Sequence, residues 1–554
     1  MSDSQYRTTP ENTKGMPPGV PYIIGNELAE RFSFYGMKAI LTVFMTKHLL
    51  DAAGKPDFMA DEEAKAIYHL FTAGAYFFPM IGAIISDVLW GKYRTILLIS
   101  LMYCFGHAAL ALMDIGPLLG TWNMRPFMYL GLVLIAIGAG GIKPCVSAHV
   151  GDQFGPGNKH LLTQVFNWFY FSINLGAAVS TFLTPLLLVK FGPWAAFGLP
   201  GILMAIATFL FWLGRNNFIH VPPSGWAKFK EETLSVDGLR ALKNLTPLFL
   251  VFVPLFWAIF DQTGSAWVLQ AESMNRNFAG MEWLESQVQV VNPALILTLI
   301  PIFTYILYPA MGLLFKTTPL RKIGIGFILT ASAFGISGLI EQAIEDRQAE
   351  PTQKLWQSMM DDTTPPASIQ GIQQIAEIGG VKTTDEQKLA NENADVSALW
   401  ATTKTTLTAP GTLRDSVRAA RAFGWEQDEI RPFTDSMPNI GWQFLAYLVL
   451  TSAEILVSIV CLEFAYTQSP PRMKSFVMGV YLLGVSLGNL YVSGLNFVMD
   501  NTRDIDGKTF LDGPAYYYAF SIAMLVATVG FVFFAQRYKG ETYIHGAADV
   551  LADV

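Results

Sequence analysis

The sequence predicts an all-α membrane protein with twelve transmembrane helices arranged as two six-helix bundles. Three observations lead to this prediction. Of the 554 residues, 52% are hydrophobic and only 15% are charged, which is typical of a polytopic membrane protein and not of a soluble enzyme. Apolar segments of about 20 residues, the length that crosses a bilayer as a helix, recur twelve times. A basic stretch between the sixth and seventh segments divides them into two equal sets.

The apolar segments define the order of the predicted helices. They cover residues 22–48, 65–89, 95–113, 126–150, 162–189, 194–213, 247–270, 292–315, 323–340, 440–464, 475–498 and 515–535. We therefore predict an N-terminal bundle at 1–213, a linker at 214–246 and a C-terminal bundle at 247–554. An insertion at 341–438 separates the ninth and tenth segments.

Basic residues in the short loops predict the orientation. With a cytoplasmic N-terminus, the inside segments hold 17 Lys and Arg and the outside segments hold 8, leaving out the long insertion. Because inside loops are enriched in basic residues, both termini and the linker are expected in the cytoplasm. The insertion then lies on the outer face.

The insertion is long, polar and rich in Thr, Asp, Glu and Gln. Residues 368–378 and 412–423 have helical patterns; in the second, Leu413, Val417 and Ala420 are spaced four and three residues apart. We expect an ordered spacer without a ligand of its own. On this expectation, replacing it with a short linker leaves transport within a few-fold of normal.

The first apolar segment carries four charged residues, Glu27, Glu30, Arg31 and Lys38. Each costs about 2.5–3.5 kcal/mol at the centre of a membrane helix, so it normally faces a polar cavity or a partner. Glu27, Arg31 and Tyr35 are spaced four residues apart and share one helical face. This face is expected to bind a polar solute inside the membrane; a structural ion pair between packed helices is the alternative.

Three further segments of the N-terminal half carry polar groups. His69 and Tyr76 share a face of the second segment, and His69 is either a proton relay or a neutral histidine bonded to a carbonyl. Lys143 follows a glycine-rich stretch in the fourth segment and needs an acidic partner, for which Glu27 or Glu30 is expected. Tyr170 and Asn174 lie one turn apart in the fifth segment and either orient a substrate or join helices.

The C-terminal half contributes a second set of polar groups. Trp257, Asp261 and Ser265 share a stripe of the seventh segment, and Asn292 opens the eighth. Glu454 lies in the middle of the tenth segment, which contains no Lys or Arg. An isolated carboxylate at that depth needs a cationic partner, which the substrate can supply.

Opposite charges in the two halves suggest the kind of substrate. Arg31 and Lys143 provide a positive pole in the first half, and Glu454 provides a negative pole in the second. A cavity with two such poles suits a zwitterion.

A short loop between the second and third segments resembles a motif of the major facilitator superfamily. It reads Asp87-Val-Leu-Trp-Gly-Lys-Tyr-Arg94, similar to D-x-x-x-G-[KR]-x-x-[KR] with the last basic residue one position early. The resemblance implies two bundles that rock around a site near the middle of the membrane.

Longer stretches resemble the proton-dependent oligopeptide transporters of that superfamily. Glu27-Leu-Ala-Glu-Arg-Phe-Ser-Phe-Tyr-Gly36 is similar to the family's ExxER(F)xYYG signature. Residues 140–154 and 169–176 resemble its other two signatures, and residues 256–265 and 454–474 also match. With twelve segments, the insertion and His69, the chain looks closer to the animal intestinal type.

The resemblance implies a role for each candidate residue. The proton-coupling residues would be Glu27, Glu30, His69 and Asp261. The substrate-binding residues would be Arg31, Tyr35, Tyr76, Lys143, Tyr170, Asn174, Trp257, Asn292 and Glu454, with Arg31 taking the peptide carboxylate and Glu454 the amine. Two departures stand out: Phe34 replaces a common second tyrosine, and Thr304 replaces an aspartate of the animal type.

The expected function is proton-coupled uptake of di- and tripeptides by alternating access. The rival functions are transport of another small solute such as nitrate, sensing of nutrients without transport, and intramembrane catalysis. No nucleophile–base or metal-ligand spacing favours an enzyme. We expect no cofactor beyond the proton gradient, no nucleic-acid partner, and a functional monomer in the bilayer of the inner or plasma membrane.

Overall fold

The computed structural model describes residues 6–10, 12–233, 236–366, 368–380, 396–468, 474–504 and 508–538. These residues are overwhelmingly helical, which confirms the all-α prediction. The described strands, β1 (Asn277–Phe278) and β2 (Met281–Glu282), form a small antiparallel hairpin. The hairpin turns through Ala279 and Gly280, both with positive φ.

The N-terminal half consists of long helices joined by short connections. Its helices are α1 (Val20–Lys47), α2 (Asp61–Ile84), α3 (Lys92–Leu112), α4 (Ile115–Leu119), α5 (Met124–Asp152), α6 (Leu162–Phe191) and α7 (Pro193–Leu213). A π-helical turn at Ile85–Trp90 extends α2, and 3₁₀ turns at Lys159–Leu161 and Gly214–Asn216 flank α6 and α7.

The linker and the C-terminal half continue the helical pattern with more interruptions. Their helices are α8 (Trp226–Thr233), α9 (Val236–Pro247), α10 (Val253–Phe260), α11 (Ala266–Glu272), α12 (Val291–Ile302), α13 (Tyr308–Leu314), α14 (Pro319–Asp361), α15 (Ile369–Ile378), α16 (Val396–Lys404), α17 (Leu413–Phe423), α18 (Gln427–Thr434), α19 (Gly441–Glu454), α20 (Val460–Thr467), α21 (Lys474–Asn501) and α22 (Pro514–Arg537). The connecting turns are π-helical at Leu248–Phe252, Phe303–Leu307 and Ile455–Ile459 and 3₁₀ at Asp261–Gly264 and Glu285–Val290.

Eleven helical stretches of the described chain are long and apolar enough to cross a membrane. They correspond to the second through twelfth predicted segments. The first predicted segment corresponds to α1, which spans 28 residues and is mostly buried. It contains too many charged residues to count among these eleven apolar stretches. Counted with α1, the helices match the twelve predicted from the sequence.

Two large apolar cores lie on either side of the linker. One takes its members from residues 20–218 together with Val268, and the other from residues 245–531. Apart from Val268, each core is built from buried residues of its own half. The domain boundaries at 213 and 247, and the cytoplasmic location of the linker, stay predictions.

Close helix contacts fix the positions of two charged stretches. A Cβ on Gly176 of α6 would lie 2.8 Å from the Leu28 carbonyl oxygen and 3.2 Å from the Arg31 Cβ, so only glycine allows α6 to approach α1 here. A Cβ on Gly82 of α2 would lie 2.6 Å from the Gly141 Cα of α5. These contacts place Arg31 and the segment around Lys143 in the interior of the N-terminal half.

The described part of the insertion is a small helical unit, with α15 and α17 covering the two predicted helical patterns. Ser368 and Thr412 cap their N-termini by accepting hydrogen bonds from the Gly371 and Asp415 amides. The apolar core of the insertion also includes Ile340 and Ile344 of α14. Since α14 runs for 43 residues from the C-terminal half into the insertion, the two are connected by a continuous helix.

Candidate functional site

The charged face of α1 forms a compact ion-pair cluster. Arg31 Nε lies 2.7 Å from Glu27 Oε1 and 3.3 Å from Glu30 Oε2. Both acids are 1% exposed, whereas the arginine side chain is 12% exposed. Neither carboxylate oxygen of Glu30 has a hydrogen-bond partner among the described residues. The cluster therefore contains two carboxyl groups for one guanidinium group.

No described acid lies within the 4.0 Å ion-pair distance of Lys143, contrary to the expectation that Glu27 or Glu30 holds it. Its Nζ lies 4.0 Å from the centroid of the Phe34 ring and 4.4 Å from that of Tyr76. The buried ammonium has no hydrogen-bond partner among the described residues. Aromatic faces attract a cation without neutralising it, so Lys143 keeps its donors for an anion.

A polar chain joins the two halves through His69. Lys38 Nζ lies 2.8 Å from Asp261 Oδ1, and Asn489 Nδ2 donates to Asp261 Oδ2 at 2.7 Å. His69 Nδ1 lies 2.8 Å from Asn489 Oδ1, and His69 Nε2 lies 2.9 Å from Ser265 Oγ. Because the Asn489 amide nitrogen donates to the carboxylate, its oxygen accepts from His69 Nδ1–H, and His69 Nε2 faces the Ser265 hydroxyl.

A break in the seventh span brings Asp261 and Ser265 into this chain. Helix α10 ends at Phe260, a 3₁₀ turn follows, and Ser265 has φ −127° and ψ −86°. The predicted stripe on this span therefore divides. Trp257 lies instead beside Tyr76, with ring centroids 6.3 Å apart.

Glu454 lies at the end of α19 and is held by neutral groups. Asn292 Nδ2 donates to Glu454 Oε2 at 2.8 Å and also lies 3.1 Å from Thr451 Oγ1. Among described residues, no Lys or Arg nitrogen lies within 4.0 Å of the carboxylate. The described neighbours of this carboxylate therefore offer it a hydrogen bond and no positive charge.

The two predicted residues of α6 have different surroundings. Asn174 Nδ2 donates to the Tyr170 carbonyl oxygen at 2.9 Å, so one donor of this amide is engaged within its own helix. The Tyr170 side chain is 41% exposed. Tyr35, half-buried on α1, packs edge-on against Phe34 at 5.5 Å.

Sequence reasoning left Asn489 out of the site. Ser486, Asn489, Ser493 and Asn496 recur at spacings of three and four along the apolar helix α21. Ser486 and Ser493 donate to the carbonyl oxygens of α2 at 2.8 Å, so this stripe faces the N-terminal half. Such a stripe of small polar residues was the signal that could have identified Asn489.

We call the side of the protein next to the insertion the insertion face. It consists of the C-terminal end of α1, the N-terminal end of α2 and the helix ends that adjoin the insertion. The two halves contact each other at this face. Thr42 Oγ1 donates to the Gly264 carbonyl oxygen at 2.7 Å. Lys47 Nζ lies 2.6 Å from Glu285 Oε1 and 3.0 Å from Glu272 Oε1. Hydrogen bonds and ion pairs therefore hold this face closed.

A family profile and known relatives both identify this chain as similar to transporters. Residues 93–233, 226–409 and 416–511 match the profile of the POT family. Peptide transporter family 1 of Drosophila melanogaster is 30% identical, over 86% of this chain and 82% of the relative. Human solute carrier family 15 member 1 is 27% identical, over 96% of this chain and 94% of the relative.

Solved structures agree with these relatives. The crystal structure of an auto-inhibited POT family peptide transporter matches with a TM-score of 0.70 and 30% identity, over 96% of this chain and 99% of that one. The POT family transporter PepTSo matches with a TM-score of 0.66 and 28% identity, over 95% and 99% of the two chains. These matches confirm the major facilitator fold and a transporter family rather than an enzyme. The chain belongs to the POT family of proton-dependent oligopeptide transporters.

Proposed function

We propose that this protein takes up di- and tripeptides together with protons by alternating access. The observation that carries the proposal is the pair of opposite poles in the two halves. Arg31 and Lys143 offer positive charge in the first half, and Glu454 in the second half has no described cationic partner. The family and the peptide transporters among its relatives support the same substrate class.

A zwitterionic peptide satisfies both poles at once. Its carboxylate would bind Arg31 and Lys143, and its amine would bind Glu454 beside Asn292. Charge-assisted hydrogen bonds of this kind are stronger than neutral ones. The separation of the poles then selects short peptides, since a longer chain cannot hold both termini in place.

Glu27 couples the proton to the peptide in this proposal. The ionised carboxylate binds the Arg31 guanidinium at 2.7 Å and competes with the substrate for it. Protonation removes that competition and frees Arg31 for the peptide carboxylate. One inward proton gains about 2.3 kcal/mol per 100 mV of membrane potential, which can drive accumulation.

In this proposal, the series of polar contacts from Lys38 through Asp261 and Asn489 to His69 links protonation to opening of the insertion face. Neutral Asp261 no longer attracts Lys38, so protonation weakens a contact between the halves. His69 changes from neutral to positive and would act by repulsion or by passing its proton to an acid. Glu30, near the Arg31 guanidinium, is a second acceptor.

We further propose that the protein works as a monomer in the cell membrane. The termini and the linker would then lie in the cytoplasm and the insertion outside. The excess of basic residues on the proposed inner side supports this orientation.

Uptake of labelled dialanine by liposomes that contain the purified protein tests the proposal. An inward proton gradient should drive accumulation, which unlabelled tripeptide should inhibit and alanine, a tetrapeptide or nitrate should not. Inhibition by nitrate alone would favour the small-anion rival. Binding of dialanine without any transport would favour a sensor.

A further inference from the structure

The insertion makes ion pairs with both halves of the transporter at the insertion face. Arg414 Nη1 pairs with Asp61 Oδ2, and Arg418 Nη2 lies 3.0 Å from Asp61 Oδ1. Asp61 begins α2, in the N-terminal half. Arg418 Nη2 also lies 3.0 Å from Glu272 Oε2, which belongs to the C-terminal half. One guanidinium thus connects the insertion to both halves.

These contacts follow from the amphipathic character of α17. Leu413, Val417 and Ala420 are buried in the core of the insertion. Arg414 and Arg418 are one turn apart and point toward Asp61. The same helix therefore anchors the insertion with one face and contacts the membrane helices with another.

The ion pairs of Arg418 belong to the same network as the ion pairs that close the insertion face. Glu272 is shared between Arg418 and Lys47 of α1. Lys47 also pairs with Glu285, which in turn pairs with Arg276. A cavity of about 760 Å³ adjoins the network, with Lys47, Glu285 and Arg418 in its wall.

Asp61 forms its described ion pairs with the insertion, and Lys65 of its own helix also acts on the carboxylate electrostatically. The described ion pairs of Asp61 are with Arg414 and Arg418, and its side chain is 19% exposed. Burial alone would lower the pKa of Arg418, but Glu272 and Asp61 outweigh it and raise the pKa further above its usual range. The bridge therefore keeps its positive charge at every physiological pH.

The insertion must follow the C-terminal half when the two halves separate. It is joined to that half by the continuous helix α14 and shares an apolar core with Ile340 and Ile344. Opening of the insertion face would then draw Arg414 and Arg418 away from Asp61 and leave a carboxylate unpaired. Such a loss is costly for a largely buried pair.

We propose that Arg418 is a gate residue of the transport cycle and that the insertion clamps the two halves together whenever the insertion face is closed. The clamp consists of Arg414, Arg418, Asp61 and Glu272. It replaces the expectation of a passive spacer, because removing the insertion also removes the described ion-pair partners of Asp61. The proposal rests on the alternating-access function proposed above.

Cysteine labelling measures the clamp without substrate or proton gradient, so its result is separate from the test of peptide uptake. Thr42→Cys is introduced into a chain whose Cys104, Cys145 and Cys461 are replaced by alanine. Thr42 is fully buried at the closed face, so a membrane-impermeant thiol reagent reaches this position only when the face opens. The labelling rate then reports the open population.

Arg418→Gln and Asp61→Asn are each expected to raise the labelling rate about tenfold, because both break the same partly buried pair from opposite sides. Arg431→Gln is the matched control, since Arg431 lies in the insertion, is 45% exposed, and its described ion pair is with Asp435, also in the insertion. Asp61→Asn leaves the insertion unaltered, so a misfolded insertion cannot explain its effect. Rates equal to the control in both variants, or an increase in only one of them, would overturn the proposal.

Discussion

Lys143 Nζ lies 4.0 Å from the centroid of the Phe34 ring and forms no hydrogen bond to a described residue. Tyr76 covers the ammonium from a second side at 4.4 Å. Phenylalanine replaces the common tyrosine at this position. It therefore supplies an aromatic face and no hydrogen-bond acceptor. We interpret Phe34 as the residue that keeps Lys143 positioned and available to a substrate carboxylate.

Phe34→Leu should weaken peptide binding. The substitution removes one aromatic face, which is worth about 2 kcal/mol for a desolvated cation. Lys143 can then turn toward Glu30, whose carboxylate oxygens have no described hydrogen-bond partner. We expect the KM for dialanine uptake to rise by about tenfold or more, measured in liposomes under a fixed proton gradient.

Two further variants test whether the aromatic face is responsible. Phe34→Tyr keeps the ring and should leave KM within about threefold of the parent. Phe44→Leu removes a similar volume from the same helix at a fully buried position that contacts Phe197, 5.1 Å away. If Phe44→Leu raises KM as much as Phe34→Leu, lost packing and not the cation–π contact accounts for the effect.

Glu454→Gln should abolish the preference for a free amine. Glutamine can still accept the hydrogen bond of the Asn292 amide, now 2.8 Å from Glu454 Oε2, but it offers no charge to an ammonium group. We expect the affinity for dialanine to fall by about tenfold or more, while that for N-acetyl-dialanine stays the same. Competition against labelled dialanine measures both.

The control for this prediction is Glu463→Gln in the same membrane span, where the side chain is exposed. It should leave the preference intact. Equal competition by free and acetylated dialanine in the parent protein would show that Glu454 does not bind the peptide amine.

Gly82→Ala should lower the stability of the N-terminal half. The new Cβ would lie 2.6 Å from the Cα and the carbonyl oxygen of Gly141, and backbone atoms cannot move aside as a side chain can. We expect a loss of about 1–3 kcal/mol in the free energy of unfolding, observed as a lower thermal midpoint in detergent. Gly151→Ala in α5 has no atom within 4 Å of its Cβ and should be neutral or stabilising. Equal midpoints for the two variants would contradict the close contact.

Much of this fold follows directly from local sequence patterns. Apolar segments of membrane-spanning length identified the helices, and the spacing of Leu413, Val417 and Ala420 identified α17 within the insertion. Residues four apart on α1 predicted that Glu27 and Arg31 share a face, and the structure places them in contact. These features depend on helical geometry alone.

Contacts between distant segments were harder to predict. Lys143 was expected beside an acid because charge pairing is the commonest way to bury a lysine, yet aromatic rings from α1 and α2 hold it. Asp61 is separated from Arg418 by 357 positions, so no periodicity could connect them. The 3₁₀ turn after Phe260 also places Asp261 and Ser265 differently from residues of an uninterrupted α-helix.

Proton coupling can be assigned by comparing Glu27→Gln with His69→Gln. Glutamine at position 27 removes the charge that pairs with Arg31 at 2.7 Å while preserving the shape of the side chain. We expect this variant to bind peptide and exchange it across the membrane but not to accumulate it against a gradient. Counterflow and gradient-driven uptake, measured side by side, separate exchange from accumulation.

His69→Gln is expected to behave differently. Both ring nitrogens of His69 are in hydrogen bonds, to Asn489 and Ser265, and glutamine can replace part of that bonding. A group that competes for Arg31 must change from −1 to 0 on protonation, whereas histidine changes from 0 to +1. We therefore expect His69→Gln to retain accumulation with a shifted pH optimum. Full accumulation by Glu27→Gln, together with loss of accumulation in His69→Gln, would assign the coupling proton to His69 instead of the acid on α1.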